Sequence, residues 1–258
     1  MLDAIKIEEV NAIARAAGAA VLEVYETEFA VDVKDDASPL TEADRRSNIV
    51  ILEGLSRIAP HVPVISEEAR ALPYGERKDW EWFWLVDPLD GTKEFIKRNG
   101  EFTVNIALVH GQTPVLGVVY QPVGDHLCWA VAGGGAWKSS GGGEARRLGG
   151  GAHYSTKTEV TVVASRSHLT DEVREFIAAL EAGGKTVEFL SAGSSLKLCL
   201  VAEGTADVYP RLGPTMEWDT AAAHAIALEA GRRVLEHPSG SPLRYNKENL
   251  LNPHFIVE

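Results

Sequence analysis

The pattern of apolar and polar residues divides the first half of the chain into two helices followed by a series of strands. Val, Ile and Ala recur at helical spacing through residues 4–26, and a second helix is predicted from the N-cap candidate Thr41 to Pro60. Short apolar runs predict strands over residues 62–66, 83–86, 102–109, 115–121 and 127–132. We expect the last three of these strands to form a meander.

Strands and helices alternate in the second half, as in α/β folds. Helices are predicted from Thr170, after Ser195 and near Asp219, and strands over residues 160–164, 186–190, 206–209, 234–235 and 255–257. Residues 139–156 are rich in Gly and Ser, which predicts a loose joint. We therefore expect an N-terminal α+β half, residues 1–150, and a C-terminal α/β half, residues 151–258.

Two aspartates stand three residues apart where the central strand is expected to end. The segment Asp87–Thr92 reads Asp-Pro-Leu-Asp-Gly-Thr; Pro88 should stop the strand, and Asp90 and Gly91 should form a tight turn. Carboxylates held this close repel each other unless a cation lies between them, and oxygen donors suit Mg²⁺, Ca²⁺ or Mn²⁺ rather than Zn²⁺. Turn formation alone would also explain both aspartates.

Three further acids occupy positions where they could join this pair. Glu67 follows a predicted strand, as Asp87 does, and sites in α/β folds form at the carboxyl ends of strands. Asp44 lies in the first turn of the second helix, and Asp219 lies where an N-cap would sit. Helix capping would explain these two aspartates equally well, and a solvated loop would explain Glu67.

Composition excludes several classes of function. The 258 residues carry a formal net charge of −12, which argues against a nucleic-acid partner. Cys128 and Cys199 sit among apolar residues and are predicted to be core positions rather than metal ligands. Without an 18-residue apolar run or a basic start followed by an apolar run, no membrane span and no signal peptide are expected. The cytoplasm is the expected compartment, with peripheral association with an inner membrane left open.

Four motifs occur in the order found in a known family. The segments Pro39–Asp44, Ile65–Glu68, Asp87–Thr92 and Trp218–Ala222 together resemble the inositol monophosphatase superfamily of lithium-sensitive, Mg²⁺-dependent phosphatases. The resemblance extends roughly over residues 35–231. It implies a layered α-β-α-β-α sandwich of the inositol monophosphatase and fructose-1,6-bisphosphatase type, with the active site between the two halves.

Within this superfamily, three segments resemble the 3′(2′),5′-bisphosphate nucleotidase branch. They are Asp90–Phe95, Gly193–Lys197 and Tyr209–Asp219. This branch implies hydrolysis of adenosine 3′,5′-bisphosphate to AMP, which clears a by-product of sulfate assimilation; a homodimer is allowed. An inositol or other sugar monophosphatase on the same scaffold remains an alternative, as does a non-catalytic protein that binds Mg²⁺ or a phosphorylated ligand.

The superfamily resemblance implies a set of metal ligands. Glu67, Asp87 and the backbone carbonyl of Leu89 would hold a first Mg²⁺. Asp87, Asp90 and Asp219 would hold a second. A third cation, or the attacking water in its place, would be supported by Asp44.

The resemblance also implies contacts to water and substrate. Thr92 would orient the water together with Glu67 or Asp44, and the amides of Gly91 and Thr92 would bind the scissile phosphate, beside the ligands Glu67, Leu89, Asp90 and Asp219. For a bisphosphate, the candidates near the ribose and the second phosphate are Ser194, Ser195, Lys197 and Arg211. Plain surface charge and an ordinary serine N-cap are the alternatives for these four residues.

Overall fold

A computed structural model describes residues 1–33, 39–69, 72–149, 151–165 and 170–258. Its helices are α1 (Ile7–Tyr25), α2 (Glu42–Ile58), α3 (Tyr74–Arg77), α4 (Thr92–Ile96), α5 (Asp171–Ala182), α6 (Leu196–Ala202) and α7 (Glu217–Glu229). Its strands are β1 (Val31–Val33), β2 (Pro39–Thr41), β3 (Val64–Ser66), β4 (Trp82–Asp90), β5 (Thr103–His110), β6 (Thr113–Gln121), β7 (His126–Val131), β8 (Gly135–Ser140), β9 (Arg146–Leu148), β10 (Glu159–Ala164), β11 (Thr186–Ser191), β12 (Tyr209–Arg211), β13 (Val234–Glu236) and β14 (Phe255–Val257). Residues 34–38, where the family resemblance begins, lie outside the described residues.

The fold is layered, and the predicted fold class is confirmed. A sheet in the order β3-β4-β5-β6-β7-β8-β9 carries α1 and α2 on one face and α7 on the other, beside α6. Both faces of its central strands are buried, which is why β5 reads as a nearly continuous apolar run. The helices α6 and α7 lie between this sheet and the strands of the second half, and α5 covers the far side.

The second half contributes a smaller set of strands. β10 and β11 are parallel, and β14 lies between β12 and β13. A parallel bridge between Val162 and Val208 links the two groups. The predicted division of the chain at residue 150, which lies outside the described residues, stays a prediction.

The strand β4 does not stop at Pro88, so that expectation is wrong. β4 continues to Asp90, because the register with β5 shifts between Asp87, opposite Asn105, and Asp90, opposite Thr103. Pro88 falls inside this irregularity, where no ladder hydrogen bond is required of it. The shift matters for the site because it places both aspartates on one bent strand end.

The predicted loose joint over residues 139–156 is also partly wrong. β8 extends to Ser140, and β9 adds a further strand to the large sheet at residues 146–148. Glycines near these strands adopt positive φ, including Gly141 at 58° and Gly142 at 69°. Here they form tight turns between strands instead of a flexible connection. β12 begins later than predicted, at Tyr209 instead of residue 206, and continues through Pro210 to Arg211.

The described part of the segment between β3 and β4 is anchored by a buried arginine. Arg77 is 3% exposed; its guanidinium donates to the side chain of Asn246 at 2.7 Å and to the carbonyl of Glu248 at 2.9 Å. Residues 72–80 are therefore fixed against the C-terminal part of the chain. Cys128 and Cys199 are both buried free thiols, as predicted.

Candidate active site

Three carboxylates from distant parts of the sequence converge at the end of the large sheet. Glu67 follows β3, Asp87 lies in β4, and Asp219 lies in the first turn of α7. One oxygen from each lies within 4.8 Å of the others. Like charges this close favour a bound cation, and an all-oxygen donor set fits a hard divalent cation such as Mg²⁺.

Asp87 is the most deeply buried member of the cluster. It is 1% exposed, and its Oδ1 accepts the N–H of Leu89 at 3.0 Å. Burial, followed by the charges of Glu67, Asp90 and Asp219, raises the pKa of Asp87 well above its usual value. Within the described part of the chain, the surroundings of Asp87 therefore disfavour its charged form.

Asp90 lies beside the cluster and also contacts the second half of the chain. Its Oδ2 accepts the backbone N–H of Ser195 at 2.6 Å and the side-chain amide of Asn105 at 3.4 Å. Burial raises the pKa of Asp90 to about 6, although the nearby charge of Lys197 and the Ser195 N–H oppose that rise. Asp90 therefore connects the carboxylate cluster to the turn before α6.

Asp44 has a capping role and also faces the site. Its Oδ2 accepts both the N–H and the hydroxyl of Thr41 at 2.7 Å, and the N–H of Ala43 donates to Thr41 Oγ1 at 3.2 Å. The predicted capping box is confirmed. The other oxygen of Asp44 lies 3.4 Å from the hydroxyl of Thr92, which is also 3.4 Å from the carbonyl of Leu89. Thr92 thus lies between a carboxylate and a candidate metal-binding carbonyl.

Asp219 is not the N-cap of α7, so that prediction is corrected. The helix begins at Glu217, Met216 occupies the cap position, and the carboxylate of Asp219 turns back to accept the Met216 N–H at 2.9 Å. This bond still satisfies a free amide of the first turn. It also fixes the orientation of the carboxylate toward Asp87.

The cations predicted for a second phosphate lie on the other side of Asp90. Lys197 is 5% exposed and donates to the carbonyls of Ser194 at 2.7 Å and Ala192 at 3.4 Å. Burial lowers the pKa of Lys197 to about 8, although the charge of Asp90 counteracts this. Arg211 is more exposed and donates to the carbonyl of Pro214 at 2.6 Å.

Two adjoining clefts follow from this arrangement. The first, of about 440 Å³, is lined by Glu67, Asp87, Leu89, Thr92 and Asp219 among others. The second, of about 120 Å³, contains the two cations and is lined by Asp90, Gly91, Ser194, Ser195, Lys197, Tyr209, Arg211 and Asp219 among others. Asp90, Gly91 and Asp219 line both clefts. The acidic cleft and the cationic cleft are therefore directly adjacent.

A family model decides the class of this site. The model described as the inositol monophosphatase family matches residues 3–254, almost the whole chain. The chain belongs to the inositol monophosphatase family. Enzymes of this family are metal-dependent phosphatases, in agreement with the oxygen-only cluster around Asp87.

Two curated relatives similar to this chain carry the same name. The 3′(2′),5′-bisphosphate nucleotidase CysQ of Shigella flexneri is 48% identical over 256 residues, covering 97% of this chain and 98% of the relative. The protein of the same name from Escherichia coli strain K12 is 47% identical over 256 residues, with the same two coverages. The similarity therefore extends across both halves of the molecule.

Solved structures of the family show the same fold. A crystal structure of CysQ from Bacteroides thetaiotaomicron superposes with a TM-score of 0.84 at 50% identity, covering 95% of this chain and 94% of that one. The extragenic suppressor protein suhB from Bartonella henselae gives a TM-score of 0.77 at 26% identity, with coverages of 97% and 92%. None of the described helices is long and apolar enough to span a membrane.

Two polar residues of the site were missed in the sequence. Thr103 and Asn105 are buried in β5, and both contact the hydroxyl of Ser195 at 2.8 Å. Asn105 also donates to Asp90. A signal was present, because these residues alternate on one face of an otherwise apolar strand. Buried polar side chains need partners, so this face had to meet a polar surface.

Proposed function

We propose that this chain hydrolyses adenosine 3′,5′-bisphosphate to AMP and inorganic phosphate in a reaction that depends on Mg²⁺. The observation that carries the proposal is the pair of adjoining clefts, one lined by carboxylates and the other by Lys197 and Arg211. A nucleoside bisphosphate has two phosphates on one ribose. It can therefore place the scissile phosphate in the acidic cleft and the other phosphate beside the two cations.

We assign Glu67, Asp87 and the carbonyl of Leu89 to a first Mg²⁺, and Asp87, Asp90 and Asp219 to a second. Two or three divalent cations per site would neutralise the carboxylates, lower the pKa of a bound water and stabilise the leaving oxygen. The convergence of Glu67, Asp87 and Asp219 supports this assignment. Their negative charge would otherwise repel the phosphate of the substrate.

The side chains around Thr92 have a different role in this proposal. The Thr92 hydroxyl, which lies between Asp44 and the carbonyl of Leu89, would orient the attacking water. Asp44 would accept the hydrogen bond that fixes Thr92, and Glu67 would help to accept the proton of the water. The amides of Gly91 and Thr92 would hold the scissile phosphate, aided by the left-handed φ of 93° at Gly91.

The second phosphate is assigned to the cationic cleft. Lys197 and Arg211 would bind it, with Ser194 and Ser195 beside the ribose. Ser194 has a φ of 38°, and its hydroxyl donates to the carbonyl of Glu101 at 3.1 Å. Residues other than glycine rarely adopt this backbone conformation, and those that do are concentrated at functional sites.

Substrate preference provides the direct test. With Mg²⁺ present, we expect phosphate release from adenosine 3′,5′-bisphosphate to exceed that from inositol 1-phosphate by more than about a hundredfold in kcat/KM, or about 2.7 kcal/mol. The reason is that only the bisphosphate engages both clefts. Comparable rates would instead favour a sugar monophosphatase on the same scaffold. Tight binding of metal and nucleotide without phosphate release would favour a binding protein.

The pH dependence of metal stabilisation tests the carboxylate cluster. Because the pKa of Asp90 is raised to about 6, its contribution to folding is present at low pH and is lost as the pH rises through about 6. Mg²⁺ should offset this loss and should bind better once the carboxylates are deprotonated. We expect the increase in Tm caused by Mg²⁺, relative to EDTA, to be several degrees larger at about pH 7.5 than at about pH 5. Equal increases at the two pH values would contradict the proposed ligand set.

A further inference from the structure

The first residue of α7 is a buried acid that does not line either cleft. Glu217 is 0% exposed, and its carboxylate accepts the backbone N–H of Asn246 at 2.7 Å and that of Lys247 at 3.0 Å. The ammonium of Lys247 lies 2.6 Å from the same carboxylate. Glu217 and Asp219 are two residues apart on a helix, so their side chains point to different faces. Glu217 thus holds α7 from outside the metal-binding cluster.

The segment that meets Glu217, residues 245–252, is here named the strap. It continues along the start of α7, where the backbone N–H of Glu217 donates to the carbonyl of Leu250 at 2.9 Å. The side-chain amide of Asn252 donates to the carbonyl of Met216 at 2.9 Å and to the hydroxyl of Thr220 at 3.0 Å. The strap therefore contacts the start of α7 on both sides of Asp219, at Met216, Glu217 and Thr220.

The strap is itself anchored from the first half of the chain. Arg77 donates to the side chain of Asn246 and to the carbonyl of Glu248, and Asn246 returns a hydrogen bond to the carbonyl of Arg77 at 2.9 Å. Asn246 adopts a φ of 58°, which is uncommon for a residue other than glycine. This many specific contacts leave the strap little freedom to shift.

A hydrogen bond from Met216 connects the strap to Asp219, the proposed metal ligand. The N–H of Met216 donates to the carboxylate of Asp219 at 2.9 Å, and Met216 is held in turn by Asn252. Repulsion among Asp219, Glu67 and Asp87 favours separation of α7 from β4 when no cation is bound. A rigid support outside the cluster opposes that separation.

Stability alone is a weak explanation for this arrangement. A buried ion pair loses about as much in desolvation as it gains in attraction, and apolar residues of similar volume often replace one without loss of stability. Precise placement is what a hydrogen-bonded buried network provides. Outer residues that orient metal ligands typically change metal affinity by about 10–100-fold when they are mutated.

We propose that Glu217 is a positioning residue that, through Lys247 and the strap, fixes Asp219 in a metal-ready position before the cation binds. The inference rests on the proposed assignment of Asp219 as a metal ligand. It does not depend on which phosphorylated compound is the substrate.

The experiment compares Glu217→Gln with a matched control, Glu203→Gln. Glu203 is also a well-buried acid with cationic partners, Lys138 at 2.7 Å and Arg146 at 2.8 Å. These partners lie in β8 and β9, outside both α7 and the strap. Each full-length variant is titrated with Mg²⁺, and the increase in Tm is recorded as a function of concentration. The Mg²⁺ dependence of phosphate release is measured in parallel.

We expect Glu217→Gln to raise the half-saturating Mg²⁺ concentration about tenfold or more in both assays, while kcat at saturating Mg²⁺ stays within about threefold of the wild type. Glu203→Gln should lower Tm but leave the Mg²⁺ dependence within about twofold. Equal Mg²⁺ dependence in the two folded variants would overturn the inference. If Glu217→Gln does not fold, Lys247→Met tests the same contact, and an unchanged Mg²⁺ dependence there would also reject it.

The wild-type titration separates this inference from the proposed function. Stabilisation by Mg²⁺ without turnover of adenosine 3′,5′-bisphosphate would reject the substrate assignment but leave the role of Glu217 testable by Tm. A wild-type protein whose Tm responds to neither Mg²⁺ nor Mn²⁺ would reject the metal site and the role of Glu217 together.

Discussion

Replacing Asp87 with asparagine is expected to lower kcat/KM for adenosine 3′,5′-bisphosphate by at least about a thousandfold and, at the same time, to raise the Tm of the metal-free protein. Activity falls because Asp87 is the proposed ligand common to both cations. Stability rises because a buried charge that repels Glu67, Asp90 and Asp219 is removed. The asparagine oxygen can still accept the N–H of Leu89, so the bend in β4 is retained. Steady-state kinetics and thermal unfolding in EDTA measure the two effects.

Asp207→Asn is the matched control for this substitution. Asp207 is also buried, at 5% exposed, but its carboxylate pairs with Lys157 at 2.5 Å and accepts the N–H of Thr161 at 2.9 Å. We expect this variant to be less stable than the wild type and nearly fully active. An Asp87→Asn protein that keeps most of its activity, or that loses Tm as Asp207→Asn does, would remove Asp87 from the proposed metal site.

Lys197→Met is expected to lower kcat/KM for adenosine 3′,5′-bisphosphate by about 30- to 100-fold, mainly through KM, and to change that for adenosine 3′-monophosphate by less than about threefold. The two compounds differ only in the 5′-phosphate. The expected range corresponds to about 2–2.7 kcal/mol, which is typical of a charge-assisted contact to a buried phosphate. Kinetics with both substrates under the same Mg²⁺ concentration provide the measurement.

The second substrate distinguishes recognition from a structural effect of this substitution. Lys197 also donates to the carbonyl of Ser194, next to the Ser195 N–H that binds Asp90. A disturbed turn would impair both substrates equally. Equal losses would therefore remove Lys197 from the second-phosphate site and assign it to the support of Asp90. Arg211→Met, which leaves that turn intact, should lower activity toward the bisphosphate selectively.

Much of the fold could be predicted because local pattern and tertiary environment agree in most elements. Helical spacing predicted the bounds of α1 within a few residues, and the cap at Thr41 predicted the start of α2. The failures occurred where tertiary pairing decides the outcome. β4 passes through Pro88 because its register with β5 shifts there, and the Gly-rich segment after β8 folds back because β9 finds a partner in the sheet.

The site was predictable in its residues and much less so in their partners. The order of the motifs predicted that Glu67, Asp87 and Asp219 belong to one site. In the structure, one oxygen from each lies within 4.8 Å of the others. The contacts of Asp90 with Asn105 and with the Ser195 N–H could not be predicted, because they join segments about 15 and 105 residues away. The role of Glu217 was likewise not predictable, because its carboxylate contacts the strap about 30 residues away.

The hydrogen bond between Asp90 and the Ser195 N–H has a consequence for partly folded forms of the chain. An intermediate with only the large sheet formed would have Glu67 and Asp87 in place but would lack Asp219 and the amide that orients Asp90. Under the proposed ligand set, such an intermediate would bind divalent cations weakly. At a concentration about a hundred times its dissociation constant, a cation that binds only the complete fold adds about 2.7 kcal/mol to its stability. Magnesium would then stabilise only completely folded molecules, and partly folded ones would remain open to proteolysis.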